Sequence, residues 1–142
     1  KNVWLVDEFL LRADVINDLR VATLGHSDMK ITFHPHCHQR AEGLADDGLP
    51  AGSSATVAML RAFGFEVDVI DAGCCGMAGT FGYDAEHYEL SMQVGELGVL
   101  PKVRAAERVV STGSACRLQI RQGAGKEAEH PLVLISKYLL KG

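Results

Sequence analysis

Phe65-Glu66-Val67-Asp68-Val69-Ile70-Asp71-Ala72-Gly73-Cys74-Cys75-Gly76-Met77-Ala78-Gly79-Thr80-Phe81-Gly82-Tyr83 is an alternating apolar run that empties into a glycine loop carrying two adjacent cysteines. Phe65, Val67 and Val69 fall on one face of a strand, and the alternation stops where the glycines begin. Two other stretches repeat this order. Lys30-Ile31-Thr32-Phe33-His34 is closed by Pro35 and leads to Cys37, and Arg108-Val109-Val110-Ser111-Thr112 turns through Gly113 to Cys116. Helix-prone segments lie between them. Strands alternating with helices predict an α/β fold with a small parallel sheet of about four strands flanked by helices, the crossovers right-handed. Ligands of such sheets bind beyond the carboxyl ends of the strands, where Cys37, Cys74, Cys75 and Cys116 all fall. The four sulfurs are therefore expected to converge.

Outward from this frame, the helices follow from periodicity and caps. A lead-in helix is expected over Val3–Leu11 and a second over about Asp14–Leu24, with Asp14 as N-cap and Gly25 as stop. The stripe of Trp4 and Phe9 is either packed on its own domain or a docking face for further sequence. Gln39–Ala45 reads as a short helix. Ser53 caps the next, whose apolar face is Val57, Met59, Leu60 and Phe63 and whose stop is Gly64. After the glycine loop, Asp84 caps a helix with Tyr88, Leu90, Met92, Val94 and Leu97 on its apolar side. Pro101 opens another. A helix from Cys116 ends near Gly123, Ala128-Glu129-His130 makes a short fourth strand, and Pro131 starts a final helix. The expected division is a helical lead-in over residues 1–28 and a cysteine-rich domain over residues 29–142.

Composition excludes several classes. The 142 residues carry a formal net charge of −4 without a basic stripe, which argues against nucleic-acid binding. The apolar opening is cut by Asp7 and Glu8, too early for a signal peptide or a membrane span. The chain starts at Lys1 and reads as a fragment of something larger. Its 4 cysteines are too few for a secreted disulfide scaffold and suit an intracellular metal or redox site. A cytoplasmic location is expected, with peripheral attachment to the inner face of a membrane as the variant. There is no nucleophile elbow and no candidate triad.

Four thiolates hold either an iron–sulfur cluster or a structural zinc. No Cys-x-x-Cys turn is present, and the adjacent Cys74 and Cys75 do not easily aim both sulfurs at one small ion. That favours a cluster, toward which the backbone N–H groups of Gly73, Gly76 and Gly79 can point. A thiol–disulfide pair at Cys74 and Cys75 is the competing redox reading, and a zinc-binding or partner-docking module the competing non-redox one. His34, His36 and His38 surround Cys37; His36 or His38 is the candidate to reach the site, as ligand or hydrogen-bond donor. Glu86, His87 and Glu96 are read as a solvated face or as a proton relay beside a quinone. Arg117, next to Cys116, either raises the potential of a cluster or is exposed.

Cys37, 36 residues, Cys74-Cys75, 40 residues beginning with Gly76, and Cys116 together resemble the cysteine-rich CCG domain of iron–sulfur oxidoreductases. That group includes a subunit of heterodisulfide reductase and the iron–sulfur subunit of glycolate oxidase. The wording around His36-Cys37-His38-Gln39, Phe81-Gly82-Tyr83, Glu86-His87-Tyr88, Cys116-Arg117-Leu118-Gln119-Ile120 and His130-Pro131 is similar to the C-terminal domain of FAD-linked 2-hydroxyacid dehydrogenases of D-lactate or glycolate type. The resemblance implies a [4Fe-4S] cluster, zinc being the alternative, with Cys37, Cys74, Cys75 and Cys116 as metal ligands. It implies electron transfer from reduced FAD, held by a partner domain or subunit and not by this chain, to a quinone, cytochrome or other acceptor. The isolated chain is then part of an oxidoreductase and not catalytically complete. One departure is visible: the fullest family pattern ends in Cys-x-x-Cys, and Gln119 stands where the second cysteine would be.

Overall fold

The computed structural model describes residues 3–13, 15–17 and 29–139. They fall into two compact units, one drawn from Lys1–Lys30, Cys37–Val67 and Pro131–Gly142, the other from Ile31–His36 and Asp68–His130. The helix expected over Asp14–Leu24 lies outside the described residues except for 15–17, which are helical.

In the first unit, α1 (Val6–Arg12) lies against α3 (Gly52–Ala62), and its described helices also include α2 (Cys37–Ala41) and α7 (Pro131–Leu139). Its buried apolar residues are Ala55, Met59, Leu60, Phe63, Phe65, Val67, Leu134 and Ile135. Two acids of α1 are buried rather than solvated. Asp7 accepts hydrogen bonds from Thr56 Oγ1 and, at 3.5 Å, from Gln39 Nε2. Glu8 accepts from the Gly52 N–H at 3.1 Å and from the Leu5 N–H at 3.2 Å. A buried carboxylate is tolerated only with such donors. Glu8 therefore caps α1 and also holds the start of α3. That start is at Gly52, with Ala51 as N-cap and no side-chain capping bond, so Ser53 is inside the helix and not its cap.

Arg12 lies 3.9 Å from the Trp4 ring centroid and meets Asp47 through two bonds of 2.7 and 2.8 Å. The Arg12 hydrogen bond, with the Leu49 N–H adding to it, holds the Asp47 carboxyl below its ordinary range. A carboxyl depressed on folding contributes stability that is present above its unfolded pKa and lost as pH falls through the folded value. Asp47→Asn should therefore lower stability slightly at neutral pH and not at all at strongly acid pH, flattening the acid limb by that same small amount, the pair being exposed. Urea titrations between neutral and acid pH measure this.

The second unit holds the sheet except for Lys30, Glu66 and Val67, which are counted with the first. Its strands are β1 (Lys30–His34), β2 (Glu66–Val69), β3 (Val109–Ser111) and β4 (Ala128–Glu129), in the order β2-β1-β3-β4 and all parallel. Phe33 is in register with Val110 and His34 with Ser111, and the Ile70 N–H extends the β2 edge by donating to Phe33 O at 2.8 Å. Of the β2 face expected from alternation, Val67 is buried but Val69 is exposed, and Ile70 takes the buried place at the strand's end. The helices are α4 (Tyr88–Glu96), α5 (Val99–Ala105) and α6 (Ser114–Ala124), preceded by short 3-10 turns at Phe81–Tyr83 and Ala85–His87. Asp84 does cap, but it caps the second turn, accepting the Glu86 N–H at 3.4 Å.

The largest difference from the expected pattern is α4. Tyr88, Leu90 and Leu97 are exposed, and the buried residues are Ser91 and Gly95. A Cβ on Gly95 would lie 2.8 Å from Cys75 O, and one on Gly82 would lie 2.3 Å from Ser91 Oγ. The glycine loop lies so close to α4 that only small side chains fit between them. Hydrophobic periodicity is blind to a helix packed through its small residues. Among the described residues, no helix is long and apolar enough to cross a membrane.

Candidate metal centre

Parallel pairing of β1 with β3 sets His34 beside Ser111 at the carboxyl end of the sheet, where the chain turns toward Cys116 in the first turn of α6. The turn is held on several sides. Arg117 Nη1 donates to the carbonyls of Ser111 and Thr112 at 2.9 and 3.1 Å, and the His36 N–H donates to Thr112 Oγ1 at 3.1 Å. Arg117 thus closes the end of β3; it is neither free nor exposed. A Cβ on Gly113 would lie 2.7 Å from Cys116 Sγ and 2.8 Å from His36 Cδ2, so both side chains crowd that glycine.

From the other side comes the double cysteine. Cys75 and Cys116 are 2% and 3% exposed and their sulfurs are 3.5 Å apart. Both belong to the apolar cluster of Ile70, Met77, Val99, Val103, Val109 and Ile120. His34 completes the group: one ring nitrogen and the two sulfurs all lie within 4.8 Å of one another. The imidazole is 0% exposed, and neither Nδ1 nor Nε2 has an oxygen or nitrogen partner, although the ring is close enough to the Cys75 sulfur to favour its thiolate. The Cys75 thiol is lowered to about 4, chiefly by the hydrogen bond from Cys116, with His34 and the Met77 N–H adding to it and burial opposing it.

The other expected residues are placed differently. Cys74 is half-buried, and its sulfur accepts the Gly76 N–H at 3.3 Å. Cys37 is exposed and begins α2, in the first unit. None of the 4 cysteines is in a disulfide. Gly76 has φ +102° and lies hard against α4, where a Cβ would meet Ser91 O at 2.0 Å. Around Gly73 and Gly79 the same position is open. Glu96 is engaged with Arg104, which also donates to Gly123 O at 3.0 Å, and the His87 ring stacks on Phe81 at 4.1 Å. These are surface contacts.

Gln119, standing where the fullest family pattern has a further cysteine, is 1% exposed and donates through Nε2 to Ser91 O and Oγ at 3.1 and 3.0 Å. Its amide ties α6 to α4. Gln119→Met keeps the volume and removes the donor, so it should cost about 1–2 kcal/mol in a urea titration.

Sequence reasoning gave first place among the histidines to His36 and His38. His34 was hidden by its strand, since alternation with Thr32 makes it look like a polar outward position. The burial pattern of β1 is instead continuous from Ile31 to His34, because both faces of this central strand are covered.

The donor chemistry fits a metal centre. Thiolate and imidazole are the ligands that iron–sulfur and zinc sites use, and here a buried imidazole with no oxygen or nitrogen partner faces two buried sulfurs.

Comparison with known proteins agrees with this. The cysteine-rich domain family CCG matches residues 31–121. The chain is similar to D-2-hydroxyglutarate dehydrogenase of Escherichia coli K12, 31% identical over 92% of this chain and 12% of that protein. It is similar to the same-named protein of Pantoea ananatis, 29% identical over 92% of this chain and 12% of that protein. It is also similar to a subunit of the anaerobic glycerol-3-phosphate dehydrogenase of Escherichia coli K12, 31% identical over 78% of this chain and 26% of that protein. The chain thus spans about an eighth of the D-2-hydroxyglutarate dehydrogenases it matches. No solved structure matches it. With its cysteine-bearing turns following the strands of a parallel α/β sheet, and with that match over residues 31–121, the chain belongs to the cysteine-rich CCG domain family.

Proposed function

We propose that this chain is an iron–sulfur electron-transfer domain of a larger FAD-linked 2-hydroxyacid dehydrogenase, with residues 29–142 as the domain and 1–28 leading into it. The observation that carries the reading is the buried Cys75–Cys116 pair beside the buried His34 imidazole, in a family whose relatives here are dehydrogenases. Cys37, Cys74, Cys75 and Cys116 are the proposed ligands, and the N–H groups of Gly73, Gly76 and Gly79 the proposed donors to cluster sulfurs. The parent reaction turns the alcohol of a 2-hydroxyacid into a carbonyl, releasing two electrons and two protons to FAD. When bound, a [4Fe-4S] cluster supplies a one-electron carrier between that reduced flavin and a quinone, cytochrome or other acceptor. D-lactate, glycolate and D-2-hydroxyglutarate are the substrates to compare in the parent enzyme.

Anaerobic reconstitution with iron and sulfide should load about four irons per chain and give broad visible absorption. Stoichiometric zinc with no iron uptake would overturn the cluster. One observation favours that second reading: two thiolates at about 2.3 Å from one tetrahedral zinc are about 3.8 Å apart. The Cys75 and Cys116 sulfurs are already at 3.5 Å.

A further inference from the structure

We infer that His34, in place of the exposed Cys37, is a direct nitrogen ligand of the metal centre, so that the site is of mixed histidine and cysteine type. The inference rests on the metal-binding reading of Cys75 and Cys116, and on nothing about the substrate or the acceptor.

Three observations on this residue carry it. His34 ends β1, where its backbone is fixed by pairing with Ser111, so the ring is delivered to the carboxyl edge of the sheet by a rigid strand rather than by a loop. A ring nitrogen lies within 4.8 Å of both Cys75 Sγ and Cys116 Sγ, close enough for one small centre to touch all three. Both nitrogens are buried with no oxygen or nitrogen partner, the Cys75 sulfur being the polar group the ring faces, although a neutral imidazole always presents one donor and one acceptor. Structural histidines of cores are held by a carbonyl, carboxylate or hydroxyl, and leaving such groups unsatisfied is destabilising. Ser111, the register neighbour, is no remedy, because its Oγ is itself buried without a partner. Coordination uses one nitrogen, and the N–H at the other is the group that a neighbouring oxygen normally orients. The orphaned Ser111 hydroxyl belongs to the residue paired with His34 and is the candidate for that role.

A nitrogen ligand has consequences that a cysteine-only site lacks. Imidazole is neutral where thiolate is anionic, so exchanging one for the other lowers the negative charge of the centre and raises its reduction potential, as in histidine-ligated iron–sulfur proteins. The buried group would then be a better acceptor for electrons from a flavin than four thiolates would make.

The test uses the full chain, reconstituted anaerobically with iron and sulfide, reduced, and examined by pulsed EPR with natural-abundance and 15N-imidazole histidine. A directly bound nitrogen should appear as a strong hyperfine coupling that changes with the isotope. The coupling should persist in His36→Ala, His38→Ala and His87→Ala. It should vanish in His34→Cys, which still offers a ligand and should keep its iron with a lower potential; this variant avoids relying on His34→Ala, whose core position risks the fold. Iron loading with no nitrogen coupling, or loss of the coupling in His36→Ala or His38→Ala, would overturn the assignment while leaving the iron–sulfur reading intact. If the chain takes no iron, cobalt(II) serves as the probe. One cobalt bound with thiolate charge-transfer bands and a histidine coupling, the coupling lost in His34→Cys, supports the His34 ligand while the iron–sulfur reading fails. Cobalt bound without such a coupling, or not bound at all, overturns both.

Discussion

Cys75→Ser and Cys116→Ser protein, reconstituted without oxygen, should each retain at least about tenfold less metal than the wild type, because hydroxyl is a poor substitute for thiolate toward soft metals. Iron and zinc analysis with the visible spectrum measures this. The two sulfurs are the buried pair at the end of the sheet, 3.5 Å apart, so each substitution removes one of the proposed donors. The fold should survive, because Ile70, Met77, Val99, Val103, Val109 and Ile120 make up the rest of the same apolar cluster. Exchanging a thiol for a hydroxyl there should cost about 1–3 kcal/mol, the penalty for burying a polar group that lacks a good partner. Circular dichroism of the apo proteins should therefore match the wild type. Unchanged metal content in either variant would remove that cysteine from the ligand set.

Gly76→Ala should be the most damaging single substitution to the fold of the second unit. Its φ of +102° is a region that side chains other than glycine rarely adopt, which contributes about 1–3 kcal/mol. The added methyl would lie 2.0 Å from Ser91 O and 2.8 Å from Gln119 Nε2, so the glycine loop would have to move off α4 at a further cost of about 1–3 kcal/mol. Together these amount to roughly 2–6 kcal/mol, a large share of the stability of a domain this size. Gly79→Ala is the control. It shares a positive φ of +72° but meets no atom within 4 Å, so only the conformational cost applies. Urea titrations of the two variants should therefore separate them clearly, and equal losses would mean that contact with α4 contributes nothing.

Much of the frame was legible because it follows from local chemistry. Alternation located β1 to its residue limits, since Lys30–His34 is closed by a proline that cannot continue the ladder. Glycine and proline marked the turns that carry Cys74, Cys75 and Cys116, and strand–helix alternation implied the parallel sheet. The cysteine spacing carried the family resemblance. Periodicity failed at α4, where it selected Tyr88, Leu90 and Leu97, because a helix that approaches a backbone loop closely must present serine and glycine instead. It also assigned no role to Asp7 and Glu8, whose charge suggests solvent but whose partners, Thr56 and Gly52, are more than forty residues away.

The sequence by itself determined the order of the elements, the chemical nature of the donors and the turns on which they sit, because propensity, capping and alternation act over a few residues. Tertiary structure decided which donors meet. Parallel pairing of β1 with β3 fixes His34 beside Ser111, and the register of that pairing, set by burial on both faces of the sheet, brings an imidazole that reads as an ordinary strand residue to the two sulfurs. It also decided that Gln119 is a tie between α6 and α4, since its partner Ser91 lies on another helix and no local pattern links the two. Contacts between residues far apart in the chain depend on how whole faces pack, and that information is distributed over the entire core rather than written at either residue.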